Sequence, residues 1–168
     1  MRRCLTIITV TFLVIASATT FSAAKSAKLT ELATLKGHCT KLVAPDQDYT
    51  STCSSQLLNP NYDDGRSGYY YIGSDILITF SGKGNQQVKT DPDNVVQPID
   101  MVIINHASKN APVVLRAVGQ CKFSNPEKGN PAPVSCVATT EKGKFEAEFM
   151  SDGTPPDVKE FPRGLKLK

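Results

Sequence analysis

Apolar and polar residues alternate with a period of two along most of this chain, and that alternation restricts its fold more than any other feature. The segments 75–80, 113–120 and 145–149 all show it. A period of two is typical of β-strands that bury one face. The continuous apolar run 101–104 is too short for a helix and predicts a central strand covered on both faces.

Turn-forming residues separate the alternating segments. Examples are Asn59-Pro60-Asn61, Asp63-Asp64-Gly65 and Gly82-Lys83-Gly84-Asn85. Strands at a spacing of roughly ten residues with such turns indicate an antiparallel sandwich or barrel. The sequence therefore predicts an all-β single domain, an antiparallel β-sandwich or barrel of about eight strands. The predicted strands are 38–44, 52–58, 68–73, 75–81, 99–105, 113–123, 132–140 and 144–151.

The first 24 residues have the features of a cleaved signal peptide. Arg2 and Arg3 provide a positive start, residues 5–16 form an apolar run, and Ser22-Ala23-Ala24 resembles a cleavage site. The apolar run is shorter than the roughly 20 residues that a spanning helix needs, so we expect no stable membrane anchor. Cleavage after Ala24 would leave 144 residues, which is the size of one domain.

The remaining chain divides into three segments. Leucines at every third position between 29 and 35, with Thr30 as a possible cap and Gly37 as a stop, allow a short helix. Prolines near the C-terminus favour an extended tail. We therefore expect an N-terminal segment with a possible short helix at 25–37, a β domain at 38–153 and an extended tail at 154–168.

Four cysteines follow the leader, at Cys39, Cys53, Cys121 and Cys136. No C-x-x-C spacing is present, so structural zinc is disfavoured and disulfides are favoured. We predict two local bridges, Cys39–Cys53 and Cys121–Cys136, because each pair flanks a turn-rich centre. Crossed pairings are possible in a sandwich but need a specific strand order. Each loop of about 15 residues would contribute on the order of 3 kcal/mol.

Charge excludes one class of partner. The formal charge of the whole chain is +3, and removal of the leader with its two arginines lowers it to +1. A nucleic-acid-binding surface needs clustered Lys and Arg, so we expect no nucleic acid. Export and disulfides together predict a periplasmic or secreted protein.

Residue patterns give little support for catalysis. The two histidines, His38 and His106, have no G-x-S-x-G serine to act on. Glu146 and Glu148 share a strand face, which is ordinary for a solvated strand. We expect no enzyme, no cofactor and no metal. A minor extracytoplasmic hydrolase and a surface-assembly structural subunit remain as alternatives.

Residues 66–72 provide the best candidate for a binding surface. Tyr69 and Tyr71 share a strand face, and Arg66 lies nearby; tyrosine and arginine are enriched at interfaces. The alternative is that the tyrosines pack across strands. Our expectation is a small exported, disulfide-stabilised β protein that acts by binding. Its partner would be an envelope protein, a glycan or a secreted enzyme.

Overall fold

The computed structural model describes residues 26–124 and 129–162. The predicted signal peptide lies outside the described residues. Within them the chain forms eleven β-strands and two short 3-10 turns, Thr50–Thr52 and Gly84–Gln86. The strands are β1 (Leu29–Ala44), β2 (Gln47–Asp48), β3 (Gln56–Tyr62), β4 (Arg66–Ile72), β5 (Ile76–Lys83), β6 (Val88–Lys89), β7 (Asn94–His106), β8 (Val113–Ser124), β9 (Pro133–Thr140), β10 (Gly143–Ser151) and β11 (Asp157–Glu160).

Eight antiparallel strands close into a barrel. The order around the barrel is β1-β3-β4-β5-β7-β8-β9-β10, and pairing of β10 with β1 closes it. Strands β2 and β11 pair with β1, and β6 pairs with β7. The all-β prediction is confirmed, and the barrel is the one of the two expected architectures that forms. Every predicted strand overlaps one of the barrel strands.

Strand β1 has different partners along its length. Residues 29–36 pair with β3, whereas residues 37–43 pair with β10. The register against β10 shifts between Cys39 and Lys41, which marks a β-bulge at Thr40. Because of the bulge, the buried positions change from odd-numbered Leu35 to even-numbered Leu42.

The prediction of a short helix within 25–37 is wrong. Residues 29–36 are strand and pair with β3, while Glu31 to Thr34 also pair with β11 on the other side. An isolated helix of two turns is marginal in water, since nucleation is costly. Hydrogen bonds to the two flanking strands pair the backbone N–H and C=O groups that a helix would have paired. The helical spacing of the leucines therefore does not decide the local conformation.

Strand β3 begins later than predicted and includes Asn59-Pro60-Asn61, which was expected to be a turn. Pro60 has no N–H to donate, so regular pairing with β4 is interrupted there. The Asn59 amide donates instead to the Gly68 carbonyl at 2.7 Å and to Ser67 Oγ at 3.1 Å. A side chain therefore replaces a missing backbone donor and allows the strand to continue.

Large side chains fill the middle of the barrel. Tyr71 and Phe80 make an edge-to-face contact with ring centres 5.8 Å apart. The Tyr71 hydroxyl reaches across the interior and donates to the Val134 carbonyl at 3.2 Å. Phe145 and Phe149 of β10 are equally buried. Eight strands give an interior just wide enough for side chains to fill it or for one small ligand.

One end of the barrel, which we call the closed end, is filled by amides. Gln97 is fully buried, and its Oε1 accepts a hydrogen bond from Gln87 Nε2 at 2.7 Å. Gln97 Nε2 donates to the Ser67 carbonyl at 3.4 Å. The 3-10 turn Gly84–Gln86 carries Gln87 across this end.

Both predicted disulfides are confirmed. Cys121 and Cys136 are directly paired residues of β8 and β9, and both are buried in the core. Cys39 of β1 is bonded to Cys53, which follows the turn Thr50–Thr52 and precedes β3. The Cys39–Cys53 bridge therefore attaches a connecting segment to β1 and does not join two strands of a hairpin.

Part of the expected tail is ordered as a strand. Asp157–Glu160 form β11, which pairs with residues 31–34 of β1. The last six residues of the expected tail, 163–168, lie outside the described residues. In the part of the chain that the structure describes, no helix has the length and apolar character needed to cross a bilayer.

Candidate functional site

The three residues expected to share a binding surface lie on opposite faces of β4. Tyr69 is 4% exposed and Tyr71 is 1% exposed, and both point into the barrel. Arg66 is an odd number of residues from both, so it lies on the outer face. This placement corrects the expectation of an exposed tyrosine face beside Arg66. The tyrosines pack across strands, as the alternative stated.

Arg66 is engaged in the outer wall. Its guanidinium donates to both carboxylate oxygens of Asp100 at 2.8 and 2.9 Å, and to Ser81 Oγ at 3.2 Å. The hydrogen bonds from Arg66 hold the pKa of Asp100 below its usual value. The register of β7 shifts between Ile99 and Met101, which places Asp100 on this outer face. The pair joins β4 to β7 across β5 and has a structural role.

A cavity of about 270 Å³ opens at the end of the barrel opposite the closed end. We call this cavity the mouth. Its inner wall is apolar: Phe145, Ile76 and Tyr49 are buried, and Ile104 and Val113 are partly buried. Its rim is polar and consists of Asp46, His106, Lys109 and Lys142.

The mouth residues meet there because consecutive barrel strands run in opposite directions. Every second connection therefore lies at the same end of the barrel. At this end, β1 ends at Ala44, β7 ends at His106, and β5, β8 and β10 begin. The loop 107–112 contributes Lys109, and the turn between β9 and β10 contributes Lys142.

One wall of the mouth is formed by residues 45–53, which we call the strap. The strap folds back along β1: Tyr49 N donates to the Leu42 carbonyl at 2.7 Å, and Leu42 N donates to Thr50 Oγ1 at 2.9 Å. The disulfide Cys39–Cys53 fixes its far end to β1. These contacts direct the Tyr49 ring into the barrel, where only 8% of the residue is exposed.

Several polar groups of the mouth have no partner in the part of the chain that the structure describes. Among the described residues, the Tyr49 hydroxyl, the His106 ring and the Lys109 and Lys142 ammonium groups make no hydrogen bond or ion pair. Burial raises the pKa of Tyr49, and the negative charges of Asp46 and Asp75 raise it further. Tyr49 is therefore a neutral phenol with a free donor.

The other candidate residues from the sequence do not gather into a site. Glu146 is paired with Lys41 at 3.3 Å and with Lys144 at 2.9 Å on the outer wall, and Glu148 and His38 are exposed. No group of three or more His, Cys, Asp or Glu residues that could hold a metal ion occurs within the described ranges. Only His106, of the residues singled out for chemistry, lies at the mouth.

Sequence reasoning missed most of the mouth. Asp46 and Tyr49 lie between the predicted strands 38–44 and 52–58, and Lys109 and Lys142 lie in connections between other predicted strands, with no motif around them. The signal that could have found them is the direction of the strands. In an antiparallel barrel, polar residues in alternate connections converge on one end, however far apart they are in sequence.

No protein-family model, curated protein or solved structure matches this chain. The fold and the site therefore define its class by geometry: a closed barrel of eight strands with two disulfides, one filled end and a cavity at the other end. An interior of this width holds side chains or one small ligand, and barrel mouths are frequent ligand sites.

Proposed function

We propose that this protein is exported and acts by binding a small molecule in the mouth. The observation that carries the proposal is the cavity itself, which has an apolar inner wall and polar rim groups without a partner in residues 26–124 and 129–162. Ligand sites are concave, mainly apolar and contain a few polar groups that fix orientation. At about 270 Å³ the mouth is slightly smaller than the range of about 300–1,000 Å³ for drug-sized ligands, which favours a small one.

Export is supported by two independent features. Residues 1–24 have a positive start, an apolar run and small residues at the end. All four remaining cysteines are paired in disulfides, which persist in the periplasm and outside cells. We place the protein in one of these two compartments.

The shape of the site favours a small molecule over a protein partner. A stable protein interface buries about 800 Å² on each side, over a broad surface. The mouth is instead a pit enclosed by the strap, the loop 107–112 and the turn between β9 and β10. We therefore place a small molecule first among the partner types and do not assign an envelope protein or a secreted enzyme.

A fragment screen by NMR tests the binding proposal. Mixtures of small fragments are added to the isotope-labelled protein, and chemical shift changes are mapped by residue. We expect changes concentrated at Tyr49, Ile76, His106 and Phe145. The variant Val113→Trp should fill the mouth and remove them, because Val113 lines the cavity.

The neighbouring residue provides a matched control. Val114 is 55% exposed on the outer face of the same strand, so Val114→Trp adds the same ring outside the barrel and should leave binding unchanged. Equal loss of binding in both variants, or no fragment that shifts the mouth residues of the unaltered protein, would overturn the proposal.

Intact mass of the exported protein tests the export proposal separately. The mass should correspond to a chain that begins near Lys25 and lacks Cys4. A product that keeps Cys4, or one retained in the cytoplasm, would contradict export while leaving the binding proposal in place.

A further inference from the structure

The mouth brings together cationic and donor groups from three separate connections. Lys109 comes from the loop 107–112, Lys142 from the turn between β9 and β10, and Tyr49 from the strap. All three line the same cavity although more than 90 residues separate Tyr49 from Lys142. Their convergence is a product of the barrel and not of local sequence.

The mouth lysines differ from lysines on the nearby wall. Lys41 and Lys144 both contact Glu146, at 3.3 and 2.9 Å. Within the described residues neither Lys109 nor Lys142 forms an ion pair. The wall lysines are thus neutralised by a carboxylate of the protein, whereas the two mouth lysines are not.

Acidic groups also lie near the mouth. Asp46 lines the cavity from the strap, and Asp75 lies close enough to Tyr49 to raise its pKa. The loop 107–112 contributes Lys109, the end of β7 contributes His106, and the turn between β9 and β10, which contacts the strap at Pro45, contributes Lys142. Two ammonium groups against the one carboxylate of the lining leave a net positive charge.

We propose, on the basis of the proposed function, that the ligand is a small organic carboxylate with one compact apolar group. The carboxylate lies at the rim between Lys109 and Lys142 and accepts a hydrogen bond from the Tyr49 hydroxyl. The apolar group lies deeper, against Phe145, Ile76 and Val113.

This arrangement matches the chemistry of both parts of such a ligand. Ammonium groups and a phenol are donors, and a carboxylate offers two acceptor oxygens. Hydrogen bonds between charged partners are about twice as strong as neutral ones. The buried aromatic and aliphatic wall gives the apolar group a dry contact surface.

Three ligands of the same shape test the inference: 3-phenylpropionate, 3-phenylpropanamide and 3-phenylpropylamine. Each is titrated into the isotope-labelled protein, and dissociation constants are read from the shifts of mouth residues. We expect the carboxylate to bind about tenfold more tightly than the amide, and the amine to bind least. Added salt should weaken binding of the carboxylate and leave binding of the amide nearly unchanged.

Lysine variants identify the groups responsible. Lys109→Gln with Lys142→Gln should bring the carboxylate to the affinity of the amide, whereas Lys109→Arg with Lys142→Arg should keep most of the difference. Lys89→Gln with Lys122→Gln removes the same charge far from the mouth and should change nothing. Circular dichroism confirms that each variant is folded.

The outcomes separate this inference from the proposed function. Equal affinity for all three ligands at the mouth, or a preference for the amine, would overturn the carboxylate inference and leave ligand binding intact. The carboxylate inference would also be overturned if unrelated fragments changed the chemical shifts of the mouth residues and none of the three phenyl compounds did. If no compound shifts the mouth, both proposals fail.

Discussion

Gly143 and Pro45 are in direct contact at the mouth. Gly143 has a φ of +121°, and a Cβ placed on it would lie 2.9 Å from Pro45 Cβ. Gly143 opens β10, and Pro45 begins the strap, so this contact holds the turn that carries Lys142 against the segment that carries Tyr49. Only glycine combines this backbone conformation with this approach.

Replacement of Gly143 by alanine should therefore disturb the mouth. We expect a loss of about 2–3 kcal/mol in the free energy of unfolding, from the strained φ and the contact with Pro45. Denaturant unfolding measures it. Gly129 is the matched control: its φ is +73° and a Cβ there would meet nothing within 4 Å, so Gly129→Ala should cost only about 1 kcal/mol. Equal losses would show that Pro45 plays no part.

Removal of the Tyr71 ring should destabilise the barrel strongly. Tyr71 is 1% exposed and contacts Phe80, so Tyr71→Ala should cost about 3–5 kcal/mol, and the double variant with Tyr69→Ala more. Tyr71→Phe loses the hydrogen bond to the Val134 carbonyl and the weaker one to Cys136 Sγ, and should cost about 1 kcal/mol. Thermal and denaturant unfolding measure both. A melting temperature that stays constant in the double variant would contradict the placement of the tyrosines.

Stability should depend on pH through Asp100. Its pKa is lowered in the folded protein by Arg66, so the pair stabilises the fold above the unfolded pKa of about 3.9. That contribution is lost as pH falls through the lowered folded value. Since the Asp100 side chain is 54% exposed, Asp100→Asn should cost only about 0.5 kcal/mol at pH 7.

Urea unfolding of both proteins at pH 7 and at pH 2 checks this dependence. The difference between the two free energies of unfolding should shrink as pH falls below the unfolded pKa of about 3.9 towards the lowered pKa of Asp100 in the folded protein. Asp157→Asn is the control, because Asp157 is 3.9 Å from Lys159 and both side chains are well exposed. A difference for Asp100→Asn that persists unchanged at pH 2 would exclude the ion pair as its cause.

The two disulfides should differ in their rate of reduction. Cys39 and Cys53 are partly exposed, whereas Cys121 and Cys136 are 0% and 2% exposed. Under mild reductant, thiol labelling followed by peptide mass spectrometry should find Cys39 and Cys53 labelled first. Simultaneous labelling of all four cysteines would mean that reduction follows global unfolding.

Loss of the first disulfide should also affect the mouth. The variant Cys39→Ala with Cys53→Ala frees the far end of the strap, so it should weaken ligand binding. It should also lower the free energy of unfolding by about 3 kcal/mol. Cys121→Ala with Cys136→Ala is the counterpart and should lower stability while the folded fraction still binds. Unchanged binding in the first variant would show that Cys39–Cys53 does not position Tyr49.

The fold class was predictable because several barrel strands alternate apolar and polar residues, and the apolar positions form their buried face. Ile76, Ile78 and Phe80 alternate, and all three are buried. The change of buried positions in β1 was not predictable, since the bulge at Thr40 depends on the register against β10. The same applies to residues 29–36, whose conformation is decided by β3 and β11 on either side.

The site was less predictable than the fold for a related reason. The two cysteines of each disulfide are close in sequence, and the turn residues between them were sufficient to predict the pairing. Tyr69 and Tyr71 carried the correct alternation, but the sequence did not say which face of β4 is inside. The mouth depends on which connections share an end, and this follows only from the complete strand order.

The division of β1 between two partners has a kinetic consequence. Gly37 pairs with Ser151, so the contacts that close the barrel join residues more than a hundred positions apart, whereas Cys39 and Cys53 are 14 apart. Closing a long loop costs more entropy than closing a short one, and folding slows as contacts become more distant in sequence. The strap and its disulfide can therefore form while the barrel is still an open sheet. The mouth is complete only after β10 has paired with β1, because Ala44 of β1 and Phe145 of β10 both line it.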